Sequence, residues 1–281
     1  MERSRRETKF FSVIDDVYTQ HGTNEIVEIF GDAQVFGFPK PSKLIVKLLN
    51  FATEVDDGDI VLDFFAGSGA AGQAVLNLNN QDGGNRKFIL VQLPEPCEED
   101  SAPRKAGYKT IAEITKERVR RVINKLNAEG SGKLTYTDAK GNRDWGFRVF
   151  KLSESNFRIW NANLVNEQRV LESQLELHIN HLREGRDSED LLYEVLLKSG
   201  FPLSTTIDTI AIQDKTVYSV SNGEMLISFE KALTQEFIKA IAEKKPWRVI
   251  CLDEGFSGND QLKTNAVQTM KSKGVTSFRT V

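Results

Sequence analysis

Cysteine, histidine and long apolar runs are all scarce in this chain, and each scarcity closes off a class of function. The two cysteines, Cys97 and Cys251, stand far apart with no metal-ligand spacing, so they encode neither a disulfide framework nor a zinc site. Of the three histidines, His21, His178 and His181, the last two lie three residues apart in a helix-like stretch. Without further ligands nearby they read as a solvated helix face, and no metal is expected. No apolar run approaches the roughly 18 residues of a membrane span, and no signal segment is recognisable, so no membrane contact is expected and a reducing cytoplasm is the expected setting. Gly-x-Ser-x-Gly is absent, which removes the serine-hydrolase elbow, and so is the phosphate loop Gly-x-x-x-x-Gly-Lys-Ser/Thr. A net charge of -3 offers nucleic acid no overall attraction, so any DNA contact must come from local basic patches or from another polypeptide. At 281 residues and 40% hydrophobic, the chain can bury the core of one large domain or two small ones.

The chemistry-bearing run is Asp63-Phe64-Phe65-Ala66-Gly67-Ser68-Gly69-Ala70. It follows the apolar Ile60-Val61-Leu62 and leads into Ala71-Gly72-Gln73-Ala74-Val75-Leu76, so it reads as a strand, a tight glycine turn and a helix. Gly67 and Gly69 can take backbone angles closed to other residues and let a ligand approach the main chain at a helix N-terminus. Asp63, at the strand end, puts a carboxylate where a cationic or hydroxyl-bearing part of that ligand would lie. The pattern is that of a nucleotide-type cofactor loop. By strand alternation Phe64 faces away from Asp63 and Phe65 and is expected in the core. Arg86-Lys87-Phe88-Ile89-Leu90-Val91-Gln92-Leu93 predicts a second buried strand ending in a polar residue. Upstream, Phe36-Gly37-Phe38-Pro39-Lys40-Pro41-Ser42 precedes a helical pattern with apolar Leu44, Ile45, Leu48, Leu49 and Phe51.

Together these pieces resemble the S-adenosylmethionine half of an amino-methylating DNA methyltransferase, above all the modification subunit of type III restriction-modification systems, which methylates adenine at N6. The resemblance continues through residues 88–96 (FILVQLPEP), 107–121 (GYKTIAEITKERVRR) and 251–264 (CLDEGFSGNDQLKT), and so covers nearly the whole chain. It implies an α/β fold: a Rossmann-like methyltransferase lobe followed by a second, smaller α/β C-terminal domain. It also implies S-adenosylmethionine as cofactor. Asp63, Phe65, Gly67 and Gly69, with Ala66 and Ser68 of the same loop, would line its methionine and adenosyl portions. Lys40, Pro41 and Ser42 would close the methionine end, and either Gln92 or Glu95 would meet the ribose. One departure matters. The family's catalytic tetrapeptide, Asp-Pro-Pro-Tyr or a near variant, lies N-terminal to the cofactor motif in this class, and here none of the seven prolines adjoins another. The chain therefore resembles the C-terminal part of a longer enzyme, or one piece of a split one, that binds cofactor but does not methylate alone. The partners implied are DNA through the complete enzyme, an N-terminal catalytic part or chain, a second copy, and a restriction subunit. Two alternatives stay open: a non-catalytic dimerisation or docking module, and an unrelated Rossmann-like nucleotide-binding protein.

Four segments are expected. Residues 1–34 are polar and weakly patterned, matching the tail of a target-recognition region with little order of its own. Residues 35–127 form the methyltransferase lobe, closing on a helix with Ile111, Ile114, Val119, Val122, Ile123 and Leu126 at helical spacing. Its interspersed Lys116, Arg118, Arg120, Arg121 and Lys125 are either solvated or in contact with phosphate. The glycine-bearing residues 128–144 are a linker or hairpin, and 145–281 an α/β assembly domain. Within the latter, a strand is expected over 145–152, helices over 171–182, 188–198, 233–243 and 260–271, strands over 247–252 and 276–281, and a hairpin at Asn222-Gly223. The 188–198 helix carries Leu191, Leu192, Tyr193, Val195, Leu196 and Leu197, more apolar side chains than one buried stripe needs, so either burial in the domain core or a surface that pairs with a second subunit is expected.

Overall fold

The computed structural model describes residues 13–55, 57–130, 145–157, 182–256 and 258–281. Its chain divides into two compact units, residues 1–149 and 150–281, and each is mixed α/β. Among the described residues, no helix is long and apolar enough to cross a membrane.

The first unit opens with α1 (Thr19–Phe30), in the region whose patterning predicts little order. Only Gly22 and Ile26 of this helix are buried, and so narrow a stripe leaves little periodicity in the sequence. Next come α2 (Ser42–Ala52), β1 (Ile60–Asp63), α3 (Ala70–Asp82), β2 (Lys87–Leu90), the short α4 (Ala102–Lys105) and α5 (Ile111–Gly130). β1 and β2 pair in parallel, with Asp63 opposite Leu90. α3 is buried nearly all round from Ala70 to Asn79, because its small residues admit neighbours on several sides. Leu49 of α2 packs with Ala74, Val75 and Leu78, while Val119, Val122 and Leu126 of α5 pack with Leu76. Val61 and Phe88 lean into the first of these clusters, Phe88 and Leu90 into the second.

Among the described residues, nothing covers the opposite face of this two-stranded sheet. Ile60, Leu62, Phe64, Ile89, Val91 and Leu93 are 49–66% exposed. Phe64, expected in the core by alternation, is exposed instead: it lies past the end of β1, its ring stands 5.1 Å from that of Phe65, and nothing among the described residues covers it. Trp145 and Phe147 pack on the α5 cluster, so residues 145–149 go with the first unit, and 145–152 forms no strand.

The second unit comprises α6 (Ser188–Lys198), β3 (Ile207–Ile212), β4 (Lys215–Val220), β5 (Met225–Ser228), α7 (Gln235–Glu243), β6 (Arg248–Cys251), α8 (Asp260–Ser272) and β7 (Ser277–Thr280). The five strands form one sheet in chain order. The β3–β4 and β4–β5 pairs are antiparallel. The β5–β6 and β6–β7 pairs are parallel, each reached through a helix as parallel neighbours require. The predicted Asn-Gly turn joins β4 to β5 with positive φ at Ser221, Asn222 and Gly223. β3, which no turn signal announces, is joined to β4 by Gln213 and Asp214, both at positive φ without glycine. Caps start the three helices: Asp187 accepts from the Asp190 N–H, Thr234 from Phe237 and Asn259 from Leu262.

Both faces of this sheet are covered. Val217, Leu226, Val249 and Cys251 meet Phe237, Ile238 and Ile241 of α7 and Met270 of α8. Val220, Met225, Ile227 and Ile250 meet Leu191, Leu192, Val195 and Leu196 of α6. Of the six apolar side chains on α6, only Leu197 is mostly exposed, so their abundance serves the core and offers no broad pairing surface. Cys251 is wholly buried, and burial pushes its thiol up to about 12, leaving it a protonated core filler. Residues 171–181 of the expected preceding helix, with His178 and His181, lie outside the described residues.

Phe237 is fully buried at the centre of one face. Phe237→Ala is expected to cost about 3–5 kcal/mol, read as a lower urea midpoint in the unfolding of this unit.

Candidate functional site

The carboxyl end of β1 is held in place by β2. Val91 N–H donates to Asp63 O (2.8 Å) and Ala66 N–H to Val91 O (3.1 Å), carrying the pairing past the strand ends. Asp63 Oδ1 accepts from the Phe65 N–H (3.1 Å), which starts the turn. Gly67 (φ 52°) and Gly69 (φ 84°) both sit in the left-handed region, and Gly69 caps α3. A Cβ on Gly69 would also stand 3.2 Å from both Cγ2 and O of Thr115. The turn is gripped from two sides: Gly67 N–H donates to Gln92 Oε1 (2.7 Å), and Thr115 Oγ1 of α5 donates to Gly67 O (2.5 Å). Gly67, Gly69 and Gly72 also have the spacing of a dinucleotide loop. At Gly72 a Cβ would come within 3.0 Å of Leu90 Cδ1, so the third glycine lets α3 lie close on the sheet.

The sequence-predicted residues divide by position. Ala66, Ser68 and Gly69 are buried, Asp63, Gly67 and Gln92 half-buried, and Phe65 is 81% exposed. Pro41 and Ser42 are buried beside exposed Lys40. The segment before them lies against the turn, since a Cβ on Gly67 would meet the Phe36 ring at 3.4 Å. Gln92 is occupied in holding the loop. Glu95, exposed, is tied through its backbone carbonyl to Ile111 at the start of α5 rather than to the turn. Phe38, which no motif singles out, is 97% exposed at φ 54°, an uncommon conformation for a bulky residue.

Two further residues, Arg118 within the 107–121 run and Glu25 outside every motif, join these segments. Arg118 of α5 is fully buried, and its guanidinium donates from Nε to Gln73 Oε1 (2.7 Å), from Nη1 to Ser68 Oγ (2.6 Å) and from Nη2 to Glu25 Oε2 (2.7 Å). Glu25 of α1 accepts the Ser42 N–H at 3.0 Å on both oxygens and the Ser42 hydroxyl at 2.9 Å. Pro41, at the N-cap of α2, has no side-chain oxygen, so Glu25 caps that helix from outside and sets a carboxylate at its positive end. Burial pushes the Arg118 guanidinium down to about 10 against the opposing pull of Glu25, which leaves it charged near neutral pH. A sequence signal exists: Arg118 falls four residues after Ile114 and four before Val122, on the buried stripe itself. The other arginines and lysines of α5 are largely engaged as well. Arg121 bonds Glu117, Ile29 O and Tyr108 Oη, Lys125 bonds Glu28, and Arg120 lies over the Phe147 ring. α1 approaches so closely that a Cβ on Gly22 would stand 2.2 Å from Pro39 O.

Residues 2–124, which include this whole arrangement, match the family model of the DNA methylases. This part of the chain resembles the DNA methylases. Over most of its length the chain is similar to the Mod subunit of the type III restriction-modification enzyme EcoP15I of Escherichia coli, at 32% identity over 86% of this chain and 35% of that protein. The StyLTI Mod subunit of Salmonella typhimurium is 40% identical over 48% of the chain and 19% of its own length. The type II methyltransferase M.KpnI of Klebsiella pneumoniae is 40% identical over 36% of the chain and 24% of its length. The resemblance to type III modification subunits read from the motifs is thus borne out, and the chain spans about a third or less of these relatives. Among the described residues of the methylase region and beyond, no three His, Cys, Asp or Glu gather as a metal site.

The contact of α1 with the Lys40 segment is directly testable. Gly22→Ala is expected to cost about 1–3 kcal/mol by forcing Pro39 away, while Gly37→Ala, whose Cβ meets nothing within 4 Å, serves as control. Urea unfolding of the two variants beside the wild type checks it.

Proposed function

We propose that residues 35–127 are the S-adenosylmethionine-binding, Rossmann-like lobe of a site-specific DNA adenine-N6 methyltransferase of the Mod type. The observation that carries this reading is the Gly67-Ser68-Gly69 turn at the carboxyl end of a parallel strand, opening α3 and bridged to Ser42 through Arg118 and Glu25. The residues fit the cofactor: a carboxylate at Asp63, a main-chain turn in which Gly67 and Gly69 lack Cβ atoms, an exposed aromatic at Phe65 and an exposed cation at Lys40. When bound, S-adenosylmethionine supplies a methyl group already activated on a sulfonium. The chain's own part is to orient and hold. Asp63, Ala66, Gly67 and Gly69 present backbone and carboxylate, Lys40, Pro41 and Ser42 close the methionine end, and Thr115 and Gln92 keep the turn rigid so that little reorganisation is needed on binding. Gln92 and Glu95 are the candidates for the ribose hydroxyls. Since Gln92 already accepts from Gly67, exposed Glu95 is the better placed to adapt.

Methyl transfer also needs a group that holds the amino nitrogen of an extruded base, and no Asp-Pro-Pro-Tyr-like run occurs in the sequence. We assign that group to another polypeptide segment. The face from Ile60 to Leu93, uncovered among the described residues, supports this, because parallel sheets are stable when both faces are covered and two strands alone form a marginal sheet. A segment that continued or covered the sheet there would bring its catalytic residues to the same strand ends. Residues 150–281 would then form a second, separately folded domain that contributes to assembly with DNA, with a second copy or with a restriction subunit.

Isothermal calorimetry of the chain with S-adenosylhomocysteine is expected to show binding that Gly67→Val abolishes. A wild-type chain giving no heat at high ligand concentration would sink the cofactor reading. Labelled methyl is expected to reach duplex DNA only when a polypeptide carrying the tetrapeptide is added. Transfer by this chain alone, lost in Asp63→Ala, would show the chemistry to lie in other residues.

A further inference from the structure

Arg118 and Glu25 touch both halves of the proposed cofactor site without belonging to either motif. Glu25 bonds Ser42 at the head of α2 but has no hydrogen bond to the glycine turn, and Arg118 bonds Ser68 in the turn but reaches Ser42 only through Glu25. A guanidinium spreads its donors in a rigid plane, so three acceptors on α1, α3 and the turn are fixed in angle as well as distance. Each acceptor sits on a different segment: Glu25 on α1, Gln73 on α3 and Ser68 between them in sequence. The two cofactor motifs are therefore spaced by a charge network whose anchor, α1, makes no hydrogen bond to the turn. Resting on the cofactor reading above, we infer that Glu25 and Arg118 are positioning residues. Their ion pair sets the separation between Lys40-Pro41-Ser42 and Gly67-Ser68-Gly69, and so couples cofactor affinity to the placement of α1.

The pair could merely stabilise the fold, and two measurements separate the roles. The first is hydrogen exchange in Glu25→Gln, which keeps the size of the side chain but removes the counter-charge of Arg118. Positioning requires faster exchange both at Ser42, which Glu25 touches, and at Ser68 and Gly69, which it does not, with the second unit unchanged. Unchanged exchange at Ser68 and Gly69 would overturn the inference. The second uses Glu25→Met combined with Arg118→Met. Removing both charges of the pair restores much of the stability that either single change loses, yet leaves Ser68 without its donor and Ser42 without its acceptor. S-adenosylhomocysteine is expected to bind the double variant about tenfold more weakly than wild type even where its melting temperature recovers. Wild-type affinity in a recovered double variant would assign the pair a stability role only. Should the wild-type chain give no heat with this ligand, the cofactor reading fails by itself, and the exchange pattern in Glu25→Gln still decides whether α1 controls the turn.

Discussion

A guanidinium wholly removed from water must have its charge and its donors answered by the protein, and in the first unit everything near the glycine turn depends on how Arg118 meets that demand. Its three acceptors come from α1, α3 and the turn, and its counter-charge is the carboxylate that also caps α2. Taking away one member of such a pair leaves an uncompensated buried charge, a loss of about 3–5 kcal/mol in comparable cases. The helices around the site are therefore not free to shift singly. α5 supplies Thr115 to the turn and Arg118 to the network one helical turn apart, so a single helix grips the loop by its carbonyl and its serine at once.

The two units solve the same sheet problem to different degrees. In the second, five strands are covered by α6 on one side and by α7 and α8 on the other, and the central β5 is buried at every position. In the first, α2 and α3 cover one face of β1 and β2 while six apolar side chains stand in solvent on the other. Exposure of that extent, among the described residues, is what the proposal of a further covering segment rests on. It lies on the strands whose carboxyl ends carry Asp63 and the turn, where ligands of open α/β sheets bind.

Legibility varies with how local the cause is. The strand, turn and helix around Gly67 can be read because glycine spacing and an apolar run are consecutive in sequence, and so can the Asn222-Gly223 hairpin and the helices with polar caps. β3 escapes such reading because its turn reaches positive φ at Gln213 and Asp214 without the usual glycine. α1 escapes it because one isoleucine and one glycine anchor the helix. Phe64 reads as a core residue by alternation, yet β1 ends one residue earlier and the Phe64 ring turns onto Phe65, and alternation in any case does not say whether a face is covered.

By itself the sequence determined the class of fold, the cofactor-type loop at residues 63–70 and the resemblance to modification subunits, all carried by short runs whose chemistry depends on neighbours in the chain. Only the tertiary structure decided what holds that loop. Arg118 meets Glu25 across 93 residues and Ser68 across 50, and only its register on the apolar stripe separates it from Arg120 two positions on. Whether a basic residue on a helix faces solvent, phosphate or a buried carboxylate is set by which other helices pack on that side. Packing of that kind is a property of long-range contacts, which sequence periodicity can suggest but not assign.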